Sequence, residues 1–177
     1  MIREARPDDA EAVAALWTEA YVTLGGGGRL EPYEEANFHE TARRGEVFIA
    51  ERGGAVAGVV ALLPPLANAA RCIEHTRGCR IDRAARAVAR AEEAELARLA
   101  VATSARGAGT GRALTELCAE RARAAGWRAI ALWSRPYQHE AHRLYESVGY
   151  ERAPERDSVD ETGFERLVFC SPSTIGA

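Results

Sequence analysis

Lysine is missing altogether: all 23 basic residues of this 177-residue chain are arginines. That absence excludes a Walker-type phosphate loop, which needs its Gly-Lys-Ser/Thr. It also excludes Schiff-base chemistry on a lysine of the chain, and with it an ordinary pyridoxal-phosphate enzyme. Positive charge is not in excess either. The 26 acidic residues leave a net charge of −3, with nothing to spare for neutralising a nucleic-acid backbone. No apolar run approaches the ~18 residues of a membrane span. The opening Met1-Ile2-Arg3-Glu4-Ala5-Arg6-Pro7-Asp8 is charged where a signal peptide needs an apolar stretch. Together these absences predict a cytoplasmic protein with neither nucleic acid nor membrane as partner. Cysteine is sparse. Cys72, Cys79, Cys118 and Cys170 form no Cys-x-x-Cys pair, and His75 alone between the first two falls short of a zinc set. The expectation is reduced thiols and no metal. Cys118, at helical spacing with Leu114 and Leu117, reads as a small core residue.

What is present is a globular composition, 47% hydrophobic and 28% charged, at one domain's length. Ile2–Ala5 can form a strand. Pro7-Asp8-Asp9 then starts a helix with Ala12, Val13, Leu16 and Trp17 at 3.6-residue period, running to about Leu24 and the Gly25–Gly28 run. A second helix is expected from about Glu31 to Arg44. Val47–Glu51 and Val56–Leu63 flank Arg52-Gly53-Gly54 as a hairpin, ended by Pro64-Pro65. Residues 66–93 read as an insertion whose second half, Ile81–Glu93, is an Ala- and Arg-rich helix. Then follow a strand Ala94–Val101, a helix Gly111–Ala125, a strand Arg128–Trp133, a helix Glu140–Val148, and short strands Tyr150–Ala153 and Phe164–Phe169. Residues 1–170 make one domain, with a frayed tail over 171–177. The order β-α-α-β-β-(α)-β-α-β-α-β-β predicts a mixed α/β (α+β) fold, one sheet with helices on both faces.

The stretch richest in chemistry is Arg106-Gly107-Ala108-Gly109-Thr110-Gly111, entered by a strand and left by a helix. Glycines at a helix start let free backbone N–H groups converge on an anion. The spacing is not that of a dinucleotide fingerprint, because the third glycine of G-x-G-x-x-G would fall on Arg112 or Leu114. A phosphate ligand and a tight turn with no ligand both remain open on these residues alone.

Arg106-x-x-Gly109-x-Gly111 resembles the Arg/Gln-x-x-Gly-x-Gly/Ala signature of the GNAT superfamily of acyl-CoA-dependent N-acyltransferases. Ala141-His-Arg-Leu-Tyr-Glu-Ser-Val-Gly149-Tyr150 is similar to that family's A-x-x-L-Y-E-x-x-G-F/Y element. The resemblance covers the element order from about Ile2 to Phe169. It implies a mostly antiparallel sheet in which two central parallel strands, here Ala94–Val101 and Arg128–Trp133, splay apart in a V to admit coenzyme A. It further implies that the pyrophosphate rests on the N–H groups of Gly107, Ala108, Gly109, Thr110, Gly111 and Arg112, next to Arg106. The pantetheine arm would pair with the backbone of Leu99, Ala100 and Val101, where an N–H can hold the developing oxyanion. No metal is implied.

Two residues gain catalytic roles from the same resemblance. Glu95 matches the strand position of the general base in the histone-acetylating branch, and strand alternation would place it on one face with Leu99 and Val101. The alternative is a structural or acceptor-orienting carboxylate. Tyr145 matches the tyrosine beside the coenzyme sulfur, a general acid to the leaving thiolate; the alternative is a packing aromatic. The family often carries asparagine where Gln138 stands, so Gln138 departs from the pattern as a contact to the cofactor arm. His139 and His142 read as solvated helix residues.

The function so implied is transfer of acetyl from acetyl-CoA to a primary amine of a small molecule or peptide, by direct attack in a ternary complex. A non-catalytic acyl-CoA-binding or regulatory module on the same fold is the alternative, and transfer to a hydroxyl a weaker one. A homodimer is compatible with the family. For the acceptor, Trp17, Tyr21, Tyr33 and Phe38 could line an aromatic wall, although Trp17 and Phe38 suit the core. Glu31, Glu34 and Glu35 could attract a cationic amine, or simply suit a helix dipole. The Gly25–Gly28 run suggests a lid. Arg80, Arg83, Arg86 and Arg90 make a basic stripe in the insertion, and the Glu155–Gly163 loop completes the expected acceptor side.

Overall fold

The structure is a computed structural model that describes residues 1–23, 32–65, 89, 92–159 and 163–173. The Gly25–Gly28 run, Glu31 and the arginine stripe of the insertion lie outside the described residues. The chain forms two compact units, Met1–Leu62 with Ala97–Leu117, and Leu63–Leu96 with Cys118–Ala177.

The first unit begins with β1 (Ile2–Glu4), which pairs antiparallel with β2 (Glu46–Arg52). The hairpin partner β3 (Ala55–Leu63) continues the sheet, with Phe48 opposite Val60, and the strand order here is β1-β2-β3-β4, where β4 is Glu93–Val101. A 3-10 turn at Pro7–Asp9 feeds α1 (Ala10–Thr18). Arg3 fixes that entry: its guanidinium donates to both Asp9 oxygens at 2.8 Å and also reaches Glu51. α1 buries Ala10, Val13, Ala14 and Trp17, the i, i+3, i+4, i+7 stripe of an amphipathic helix.

α1 does not run on as an α-helix to Leu24. Residues Glu19–Thr23 widen into a π turn, a feature that often marks a functional segment. The second helix, α2 (Glu35–Arg44), also starts later than its sequence suggests. Pro32, Tyr33 and Glu34 stay outside it. The Tyr33 N–H donates to Thr18 Oγ1 at 2.8 Å, and the Glu34 N–H to Asn37 Oδ1 at 2.9 Å, so side chains claim the N–H groups ahead of the helix.

In the second unit the order is β4-β5-β8-β6, with β5 at Ala129–Ser134, β6 at Glu151–Arg152 and β8 at Glu165–Cys170. A further short strand, β7 (Ser158–Val159), pairs with β8 and has no counterpart in the sequence reading. β4 and β5 are parallel, whereas β8 is antiparallel to β5 and β6. The parallel ladder joins Glu93–Glu95 to Ala129–Ala131, and both strands continue beyond it. The arrangement is the mixed, mostly antiparallel α/β sheet that the sequence predicts.

Helix α3 (Thr110–Ala124) buries Leu114, Thr115, Cys118 and Ala122 along one face, and α4 (His139–Ser147) buries Tyr145. Two details differ from expectation. Glu93 opens β4 instead of closing a helix. Ser171 is not frayed: its N–H donates to Ile130 O at 2.8 Å and its hydroxyl accepts from the Ile130 N–H. No helix among the described residues is long and apolar enough to cross a membrane.

Candidate functional site

In the first unit β4 delivers Leu99, Ala100 and Val101 to the glycine turn. A 3-10 turn at Thr103–Ala105 follows, and α3 begins at Thr110. Gly107 has φ +74° and Gly109 φ +79°, a left-handed backbone that costs other residues about 1–2 kcal/mol. A Cβ built on either glycine would meet no protein atom within 4 Å. Backbone conformation and not packing therefore demands the glycines, and the space over the turn stays open. Inside α3 the first N–H groups, those of Thr110, Gly111 and Arg112, have no carbonyl one turn back. Such N–H groups, with the helix dipole behind them, suit an anion. Arg106 folds toward the strand, its Nε donating to Val101 O at 3.4 Å, while Arg112 reaches Glu116 at 3.2 Å.

The helix start is seated by a close approach. A Cβ on Gly58 in β3 would come within 2.9 Å of Thr110 Cγ2 and 3.0 Å of Leu114 Cδ1. The Ala102 N–H donates to Ala57 O at 3.0 Å, tying the end of β4 to the same strand. From the π turn, Glu19 Oε1 accepts from the Thr103 N–H and hydroxyl at 3.2 and 2.6 Å. Those bonds hold the Glu19 carboxyl below its ordinary ionisation range.

One residue of this segment escapes any reading of the sequence. Arg98, in mid-strand, has φ +54° and is the sole non-glycine with positive φ among the described residues. A left-handed residue breaks the two-residue alternation of a strand. Strand alternation therefore does not by itself place Glu95 on one face with Leu99 and Val101. The kink is held by Trp17, whose indole N–H donates to Arg98 O at 3.1 Å, and by Tyr21, whose hydroxyl donates to Leu99 O at 2.6 Å. The Arg98 guanidinium covers the Trp17 ring at 5.0 Å and the Tyr33 ring at 5.1 Å. Trp17 is fully buried and Phe38 nearly so, as core residues should be, and Tyr33 meets Trp17 edge-on at 5.8 Å.

The second unit holds the remaining predicted residues. Glu95 is buried on β4 opposite Ala131. Gln138 precedes α4, and its Oε1 accepts from Ser134 Oγ at 2.9 Å and from the Arg135 N–H at 2.8 Å, so this oxygen closes the turn that leaves β5. Tyr145 is buried against Tyr150 and Phe169 at 6.1 and 5.6 Å between rings. Its hydroxyl makes no hydrogen bond among the described residues, and burial pushes its ionisation well above the ordinary value near ~10. α4 closes with the Tyr150 N–H on Tyr145 O at 2.9 Å, which brings the two rings together. The Tyr150 hydroxyl is buried and also without a partner among the described residues.

His142 is not on a solvated face as its sequence suggests. It is half-buried against Phe169 at 5.1 Å, and its Nε2 donates to Arg135 O at 3.0 Å; burial lowers its affinity for a second proton. His139 is exposed. Two further ion pairs lay outside the sequence reading. Arg156 and Glu93 meet at 2.7 Å with about a tenth of each side chain exposed, and Arg156 also donates to Cys170 Sγ at 2.8 Å. Arg152 grips both oxygens of Asp157, whose Oδ1 in turn accepts from the Val168 N–H. The described start of the Glu155–Gly163 loop is thus tied to β4 and β8 by its own charges.

A sequence profile of the acetyltransferase (GNAT) family matches residues 10–150. The chain belongs to that family, and the protein is an acetyltransferase. Among curated proteins none matches the sequence. Solved structures share the fold at low identity. A ribosomal-protein-alanine N-acetyltransferase from Brucella melitensis superposes with TM-score 0.71 at 21% identity, covering 97% of this chain and 99% of that one. The ribosomal-protein-S18-alanine N-acetyltransferase from Escherichia coli gives 0.68 at 19%, covering 100% and 96%. The yncA putative acetyltransferase from Salmonella typhimurium, solved with its cofactor acetyl-CoA, gives 0.66 at 15%, covering 97% and 92%.

Proposed function

We propose that the protein transfers acetyl from acetyl-CoA to a primary amine of a small molecule or peptide, by direct attack in a ternary complex. The observation that carries the reading is the turn at Gly107–Arg112: two left-handed glycines, open space above them, and a helix start supplying N–H groups. In this reading the N–H groups of Gly107 to Arg112 hold the pyrophosphate, with Arg106 beside them. The backbone of Leu99, Ala100 and Val101 aligns the pantetheine arm, and an N–H of that segment faces the thioester oxygen as charge grows on it. The donor, when bound, supplies an activated acetyl thioester. The chain supplies position, which is worth several orders of magnitude in rate by itself.

Glu95 takes the proton that the attacking amine must lose, since an amine of pKa near ~10 attacks only when neutral. Tyr145 serves the other end. A thiol ionises near ~8–9, below a phenol whose ionisation burial has raised further. Full proton transfer from Tyr145 to the departing sulfur is therefore uphill. Its hydroxyl acts by donating a hydrogen bond, and solvent completes the protonation. This sets its contribution at the low end of the ~10²–10⁴ of acid catalysis.

The test is release of free thiol from acetyl-CoA across a panel of aminoglycosides, polyamines, amino acids and peptide N-termini. Release with any of these amines supports transfer. Tight coenzyme A binding with no release across the panel replaces it with an acyl-CoA-binding module.

A further inference from the structure

We propose that Arg98 recognises an anion on the acceptor, and that the acceptor carries a carboxylate close to its amine, as an amino acid does. The assignment rests on the transfer reading above and narrows it.

Arg98 lies next to Leu99–Val101, the segment that faces the thioester in that reading. The guanidinium is half-buried, yet it has no ion pair and no hydrogen-bond acceptor among the described residues. Glu19, the acid of the π turn after α1, already accepts from Thr103 just beyond the same strand. Its central carbon lies 5.0 Å from the centre of the Trp17 ring and 5.1 Å from that of Tyr33, two rings inclined at 61° to each other. The five N–H donors of the guanidinium make no hydrogen bond among the described residues. A planar fork of donors suits a carboxylate, which it can grip through two parallel bonds.

The backbone points the same way. Chains avoid φ +54° at an arginine, and here two bonds maintain it, from Trp17 to Arg98 O and from Tyr21 to Leu99 O. The kink fixes where the Arg98 side chain leaves the strand, and no acid among the described residues compensates its charge. One more consequence favours the reaction. A cation close to the acceptor amine disfavours the ammonium form and so raises the fraction able to attack. An acceptor whose amine sits far from any carboxylate, such as a polyamine, gains nothing from this arrangement.

The experiment compares α-amino acids offered as free acids and as carboxamides. Thiol release from acetyl-CoA should favour the acids by tenfold or more in kcat/KM, with the difference in KM. Arg98→Gln should shrink the acid-to-amide ratio by about 10–100-fold, the range of a charge-assisted bond, and Arg98→Lys should restore part of it. Equal use of acids and amides by the wild type overturns the proposal. So does an Arg98→Gln variant that loses both in proportion, as removal of a mere cover for Trp17 would. A ligand-observed NMR titration of the same acids and amides into the protein without donor gives a readout free of turnover. If no amine releases thiol, the transfer reading fails by itself. Binding that favours acids and vanishes in Arg98→Gln then upholds the anion site, and binding blind to the carboxylate overturns it.

Discussion

From Leu99 to Arg112 the first unit offers mainly backbone: carbonyls and N–H groups of a strand end, two left-handed glycines and a helix start. In the second unit Glu95, Gln138 and Tyr145 offer side chains, and each depends on what surrounds it. A backbone site needs few residue types but demands rare conformations, so it leaves a mark as glycine spacing. A side-chain site needs one residue and a particular environment, and the environment is assembled by distant strands. The Tyr145 hydroxyl shows the difference. Its residue type does not reveal that burial against Tyr150 and Phe169 raises its ionisation and so keeps it protonated.

The sharpest way to break this contrast is Gly109→Val. At φ +79° the branched side chain is strained and would stand in the open space above the turn. Coenzyme A affinity should fall at least ~100-fold in a calorimetric titration, whereas thermal stability falls by only the ~1–2 kcal/mol of a misplaced backbone. Unchanged affinity would remove the turn from the site.

Next is the second unit's reliance on side-chain partners. Arg156→Met leaves the buried Glu93 carboxylate without its cation and should lower unfolding free energy by about 3 kcal/mol in urea titration. Tyr145→Phe should reduce kcat by about tenfold and leave acetyl-CoA affinity within about twofold. Wild-type turnover would return Tyr145 to packing alone. Tyr150→Phe should have the opposite sign on stability. It removes a buried hydroxyl with no partner among the described residues, so the variant should gain up to ~1 kcal/mol; a loss would show that the hydroxyl holds a water or a ligand.

The smallest effect belongs to the acid side. Hydrogen bonds from Arg3 hold the Asp9 carboxyl below its unfolded value near ~3.9. The pair's contribution is complete above that value and is lost as pH falls through the lower, folded one. The stability gap between wild type and Asp9→Asn should therefore narrow as pH falls below about 4, in thermal melts followed across that range.

Much of this was legible in advance. The helical stripe Val13, Leu16 and Trp17, the Gly53-Gly54 hairpin and the glycine turn all rest on local periodicity or on conformations that one residue type tolerates. Other features were not. Arg98 looks like any surface arginine of an Arg-rich chain, because nothing local says that Trp17 and Tyr21 will hold its strand in a left-handed kink. His142 looks exposed until β8 brings Phe169 beneath it. Glu93 and Arg156 are 63 residues apart, and only the fold, which brings the Pro154–Arg156 turn to the start of β4, makes them a pair.

By itself, the sequence determined that the chain holds no lysine, so that any phosphate it binds must meet backbone N–H groups and arginines. The order of helices and strands set a glycine turn at a helix start, where such N–H groups gather. Tertiary structure decided the surroundings of each side chain: which arginine is tied in an ion pair, which lies against aromatic rings, and which tyrosine is buried. The physical reason is range. Backbone conformation is set by a residue and its immediate neighbours, whereas burial, charge compensation and hydrogen bonding depend on groups that only the folded chain brings together.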